Sequence, residues 1–298
     1  MRRRRTALAL LAVATVLPGC RRGSGASSGQ GGGTAQQMVD SGAFDQAIAQ
    51  LEGATDPEAL FQLGRAWAGK ARTAPLPMVM AGAAPPFKPE ELRAAEAFER
   101  VIAARPDHAG AQLALAGLLA PHALAAARAP RPTAVAAAAA AGPAAPEATV
   151  DGVLRRYGAA IQADPAGAEA PEALIRFASA AGRLAEADSA YQELLRRRRE
   201  DPTLLVRYGD FLAGPRGQPE AALAQYAQAL MWRSDDEATR RKVVEIHLRI
   251  AGDHLGQQEY AMAEAQLAEA RRAGVQPASA EEARLRELEA ALREVRGR

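Results

Sequence analysis

An all-α fold of stacked helix–turn–helix units is what this sequence predicts, on three observations. Apolar residues recur at helical spacing from Val39 onward, with almost no strand-like alternation. Acid–proline pairs recur at Asp56-Pro57, Asp164-Pro165 and Asp201-Pro202. In each, the acid can cap orphaned N–H groups and the proline suits a first helical turn. Short residue patterns also repeat along the chain, which is the mark of a repeat architecture.

The N-terminus is read first. Arginines 2–5 form a basic run, residues 7–17 are apolar, and Leu17, Pro18, Gly19 and Cys20 follow. The apolar run is too short to span a bilayer and suits the hydrophobic region of a signal peptide. Cys20 is the only cysteine, so it has no intrachain disulfide partner and no cysteine-based zinc site. An apolar residue three before a cysteine, with a small residue next to it, resembles a bacterial lipobox. That resemblance implies a signal peptide over 1–19 and lipidation at Cys20, with two or three acyl chains holding the mature protein on a membrane. Residues 20–37 are rich in Gly, Ser and Gln and are expected to be a flexible tether with a reach of roughly 20–25 Å.

Charge excludes one class of partner. The whole chain has 37 basic and 35 acidic side chains and a net charge of +2. Without the four arginines at 2–5, 33 basic side chains face the 35 acidic ones, a net of −2. The basic isoelectric point is therefore no argument for nucleic acid. Only three lysines occur, Lys70, Lys88 and Lys242, and beyond Cys20 no apolar segment long enough to cross a membrane is expected.

Phe44, Ala47, Ile48 and Leu51 fall on one helix face. Further along, Leu60, Leu63, Gly64 and Trp67 match Leu205, Tyr208, Gly209 and Leu212. A second pattern puts a small or β-branched residue, a large one four later, and a small or apolar one three after that. Its sets are Ala94/Phe98/Val101, Val153/Tyr157/Ala160, Ala187/Tyr191/Leu194 and Ala222/Tyr226/Ala229. The two patterns together resemble the tetratricopeptide repeat (TPR), a 34-residue helix–turn–helix unit. Small residues let the two helices of each unit cross closely, and several units must stack to bury their faces. Pro57 to Pro106 is 49 residues and Pro106 to Pro165 is 59. Treating 73–87 (15 residues) and 124–148 (25 residues) as insertions restores 34 in both cases.

The resemblance implies a right-handed α-solenoid over 38–298. It begins with a half-repeat helix at 38–52. Helix pairs follow at 57–71/90–105, 109–123/150–163, 168–181/184–199, 202–213/218–232 and 236–256/258–273. A C-terminal capping helix over 279–296 starts with a Ser279/Glu282 capping box and carries the stripe Leu285, Leu288, Leu292 and Val295. Both insertions then leave from one edge.

No chemistry-bearing motif stands out. His108, His122, His247 and His254 show no metal-ligand spacing, and no phosphate-binding Gly-rich loop or GxSxG elbow occurs. Cofactors, metals, nucleic acid and a small-molecule substrate are not expected. The four arginines at 196–199 read first as favourable charge at a helix C-terminus. The TPR resemblance implies a groove lined by the first helix of each unit, where a partner peptide or helix docks. Mapped onto this chain, its lining would be Phe61, Arg65, Leu113, Arg176, Val206 and Asp210. The expectation is a non-catalytic scaffold, lipid-anchored in a bacterial cell envelope and binding another envelope protein, as in outer-membrane protein, pilus, secretion or cell-wall machinery. Arg21, in place of an inner-membrane-retaining Asp, favours the outer membrane facing the periplasm. The alternatives are an accessory cell-wall or polysaccharide-processing enzyme, and a cytoplasmic TPR adaptor if the start is misassigned.

Overall fold

Helix starts are set by side chains that accept otherwise unpaired N–H groups. Asp56 accepts from the amides of Glu58 and Ala59 at 3.1 Å, Thr149 from Gly152, Asp201 from Leu204 and Asp236 from Thr239, each at 3.1 Å. The Nδ1 of His108 accepts from Ala111 at 3.0 Å. At the last helix, Ser279 Oγ accepts from Glu282 N at 3.1 Å, and Glu282 accepts in return from Ala278 N at 2.7 Å. Asp164 behaves differently from expectation. It ends one helix and holds a turn by accepting from Gly167 N, and the next helix starts at Glu169.

The computed structural model of the protein describes residues 31–75, 86–129, 146 and 148–296. Among these it has thirteen helices and no strand. They are α1 (Gly31–Asp40), α2 (Phe44–Leu51), α3 (Pro57–Thr73), α4 (Pro89–Ala104), α5 (Ala109–Arg128), α6 (Val150–Ala163) and α7 (Glu169–Ala180). Then come α8 (Leu184–Arg197), α9 (Pro202–Ala213), α10 (Pro219–Trp232), α11 (Glu237–Gly256), α12 (Tyr260–Ala273) and α13 (Ala280–Arg296). Each odd-numbered helix up to α11 packs on the even-numbered helix that follows it, and α13 closes the array against α11 and α12.

The crossings follow the repeated pattern. All twelve residues of the four small–large–small sets are buried. A fifth set, Ala263/Leu267/Ala270 on α12, occupies the same positions with leucine in the aromatic place. A Cβ on Gly64 would come within 2.5 Å of Phe98, and one on Gly209 would overlap the Tyr226 ring. Those two glycines let the aromatic of the second helix lie flat on the backbone of the first. Between units the rings continue the stack: Tyr191 lies 5.1 Å from Tyr208 and 5.2 Å from Phe211, and Tyr157 5.9 Å from Phe177.

Four short turns hold a left-handed residue at the same distance from the next crossing. Gly42, Gly182, Gly217 and Gln258 have positive φ, and each stands five residues before a fully buried alanine, Ala47, Ala187, Ala222 or Ala263. Amides just past each turn reach back to carbonyls of the preceding helix, as in Ala43 N to Met38 O and Glu259 N to His254 O, both 2.8 Å. At Gly42, Gly182 and Gln258 the bond spans five residues, the Schellman closure of a helix C-terminus, while the Gly217 turn is two residues longer and Gln218 N reaches Leu212 O across six.

Three expectations change. The half-repeat helix 38–52 is a full unit, α1 and α2, and its first helix begins at Gly31. Residues 31–37 therefore do not belong to the tether. Ala35 is fully buried, and Val39 packs with Ala47 and Ala66. The second insertion is shorter than 124–148, because α5 runs to Arg128 and Leu124 packs on the core around Phe98 and Leu115. The first insertion also ends in packed structure, since Phe87 stacks on His122 at 3.8 Å. Thirdly, α5 is by length and composition apolar enough to cross a membrane. In the fold its apolarity has another cause: Leu115, Ala116, Leu119 and Ala123 are all buried in the central core. Cys20, residues 76–85, most of the Ala/Pro-rich tract and Arg298 lie outside the described residues.

Two substitutions test the packing and the turns. Gly209→Ala is expected to lower stability by about 1–3 kcal/mol, because Tyr226 must leave its rotamer. Gln258→Gly is expected to raise it by about 1 kcal/mol by removing a side chain from left-handed backbone. Urea unfolding followed by circular dichroism reads both.

Candidate partner-binding groove

A cleft of about 850 Å³ lies between α1, α3 and α5. Its floor is apolar, made by Ala68, Ala114, Gly117, Leu118 and Pro121, and its rim is charged, with Asp40, Arg65, Arg72, Lys88 and Glu91. Pro121 has no N–H to return to the Gly117 carbonyl one turn earlier, so the floor keeps a backbone acceptor without its usual helical donor.

Most of the rim charge is already engaged. Arg65 Nη2 donates to Asp40 Oδ1 at 2.8 Å, and its Nη1 donates to Gln62 Oε1 at 3.0 Å. Gln62, only 3% exposed, donates on to Glu58, whose other oxygen faces Arg105 and His108 at 3.7 Å. Lys88 Nζ donates to the carbonyls of Ala71 and Ala74 at 2.7 and 2.8 Å, placing a cation on the C-terminal end of α3. Its own amide donates to Glu91, which also faces His122 at 3.2 Å. Arg72 is exposed and has no ion pair among the described residues. The cleft thus combines an apolar floor, a carbonyl without its usual helical donor and a guanidinium with no ion pair among the described residues.

The six residues mapped from the repeat pattern do not converge on one site. Arg65 lines the cleft. Phe61 instead fills an inter-unit gap, its ring 4.8 Å from His108 and 6.0 Å from Phe98. Leu113 packs on the central core and Val206 on the core around Tyr191 and Tyr208. Asp210 accepts from Tyr226 Oη at 2.8 Å and from Lys242 Nζ at 2.5 Å, tying α9 to α10 and α11. Arg176 is exposed on α7, with no ion pair among the described residues. The sequence reading missed α1, Arg72 and Lys88. One signal was available: the glycine-to-alanine interval of five in "SGAFDQAIAQL" equals that in "AGRLAEADSAY".

The histidines have local duties. His247 faces Gln266 at 2.7 Å and His254 faces Glu259 at 2.6 Å. Among the described residues no group of three or more His, Cys, Asp or Glu side chains is placed to hold a metal ion.

The architecture defines an all-α solenoid of TPR-type helix–turn–helix units. Among solved structures, the chain is similar to MamA (residue 41 to the end) from Desulfovibrio magneticus RS-1. The identity is 18% over 71% of this chain and 100% of that one, with a TM-score of 0.45. It is also similar to TTC0263, a thermophilic TPR protein of Thermus thermophilus, at 18% identity, 71% and 94% coverage and a TM-score of 0.38. YrrB, described as a TPR protein with an unusual peptide-binding site, matches at 14% identity, 70% and 88% coverage and a TM-score of 0.44. At this distance nothing about function is carried across. No family model and no curated protein matches the chain.

Burial raises the phenol pKa of Tyr226 far above its ordinary 10.0, and the neighbouring Asp210 carboxylate adds to the rise. Burial raises Tyr157, Tyr191 and Tyr208 in the same direction. The unfolded chain then loses these protons first as pH rises. The stability they contribute is full below about pH 10 and falls as pH climbs above it. Tyr226→Phe is expected to make the alkaline loss less steep in pH-dependent urea melts.

Proposed function

We propose that this protein is a non-catalytic scaffold that holds a segment of another cell-envelope protein in the α1–α3–α5 cleft. In this reading it is carried on a membrane by lipid at Cys20, with the outer membrane facing the periplasm as its place. The observation that carries the reading is the cleft itself: an apolar floor, the Gly117 carbonyl without its usual helical donor, and Arg72 with no ion pair among the described residues, in one concavity. An extended segment offers matching groups, since its backbone N–H can meet the Gly117 carbonyl and an apolar side chain can cover Leu118. A carboxylate can meet Arg72 in a two-point contact. The tether sequence and the lipobox resemblance support the anchor.

Two experiments test it. In native membranes, Leu118→Glu with Arg72→Glu is expected to abolish recovery of the main crosslinked partner while leaving circular dichroism unchanged. Equal recovery would remove the cleft as the binding surface. Cys20→Ser is expected to abolish incorporation of an alkyne fatty acid and release the protein from the membrane fraction. Equal labelling, or an unprocessed N-terminus by mass, would sink the anchor.

A further inference from the structure

The solenoid has two long edges, and they differ. One carries the turns within units, including both insertions. The other carries the turns between units, and successive turns there are laced together. Gln50 donates to Thr34, Glu58 faces Arg105 and His108, Arg197 donates to the Pro165 carbonyl, and Arg233 donates to Thr203. The α1 helix starts on this second edge, so the described chain enters the fold there.

The same edge carries the largest exposed apolar groups among the described residues. Met231 and Trp232, at the C-terminal end of α10, are 82% and 54% exposed. The 2.9 Å contact from Arg233 to Thr203 sets them beside the turn that follows α8, which carries the arginines 196–199. Three of the four are engaged: Arg196 and Arg197 pair with Glu193, and Arg198 faces Glu172 at 3.9 Å. Arg199 is exposed with no ion pair among the described residues, and the Arg196 side chain remains 71% exposed. Of the acids nearby, Asp201 and Asp236 are spent on capping, while Glu200 and Asp235 face solvent.

We infer that this edge is a second membrane contact, in which Trp232 and Met231 enter the lipid interface and Arg199 and Arg196 meet headgroup phosphates. The inference rests on the lipid anchor at Cys20. Ten residues separate Cys20 from α1, and ten residues span at most about 36 Å. A lipidated Cys20 therefore holds the start of α1, on the between-unit edge, within about 36 Å of the bilayer, and a contact at Trp232 further along that edge is what would bring the edge onto it. Tryptophan is the side chain suited to such a place, with an apolar body and one polar N–H. The solvent-facing acids temper the electrostatic attraction, so the apolar pair carries most of the contact and its salt dependence is shallow. A lipid anchor joined to a second weak contact binds far more tightly than either alone. The pair would lay the solenoid along the membrane with the within-unit edge away from it.

The test uses the lipidated full-length protein, with Trp67→Phe so that Trp232 is the only tryptophan. It is reconstituted in phosphatidylethanolamine–phosphatidylglycerol vesicles carrying a headgroup-level quencher. Trp232 fluorescence is expected to shift to the blue, to be quenched from the lipid and to be shielded from acrylamide. The unlipidated Cys20→Ser chain, from residue 20 onward, is expected to partition weakly onto the same vesicles. Trp232→Ser with Met231→Ser should reduce that partitioning about tenfold. Arg199→Glu should reduce it less. A lipidated chain whose Trp232 stays open to acrylamide and unquenched from the lipid overturns the second contact and leaves the anchor standing. Failure of Cys20 to take lipid overturns the anchor, and vesicle partitioning lost with Trp232 then still reports the edge.

Discussion

Everything in this molecule depends on how closely the two helices of a unit can cross. An alanine, valine or glycine at the crossing lets a ring from the second helix lie against the backbone of the first, as Phe98 does at Gly64 and Tyr226 at Gly209. No unit buries both faces alone, so the next unit must cover the ring, and Tyr208 and Phe211 do this for Tyr191. In four of the six units a left-handed residue five before the buried alanine fixes where the second helix begins. It thereby fixes which residue meets the crossing.

From that constraint the polar layer follows. Once the crossings set the spacing, charged side chains on successive first helices come within reach: Asp40 of Arg65, Glu172 of Arg207 and Asp210 of Lys242. These pairs are partly exposed, and each is worth only about 0.2–1 kcal/mol. Their larger consequence is selective. They engage several of the cations that a groove would otherwise offer, while Arg72, Arg176 and Arg249 have no ion pair among the described residues.

The repeat design also makes the edges unequal. Turns of four to six residues join successive units on one side, while the other side carries the turns within units, two of them widened by insertions, so the two edges present different chemistry. The insertion side is rooted by contacts such as Lys88 on the end of α3 and Phe87 on His122. The opposite side is compact, carries α1's start and exposes Trp232.

Local identity is enough to determine helical periodicity, the acid caps at Asp56 and Asp201, and the small–large–small sets. The chain alone therefore determined the helix pairs and the core of each crossing, with boundaries close to those observed. The glycine-rich composition before Val39 hid α1, because propensity there argues against a helix that packing against α2 and α3 sustains. It likewise hid the groove's real rim. Arg65 and Arg72 look alike in sequence, and only the tertiary fold decided that Asp40, 25 residues away, neutralises one and leaves the other free. Ion pairing is a matter of distance in space, and sequence spacing carries no record of it across a turn of the solenoid.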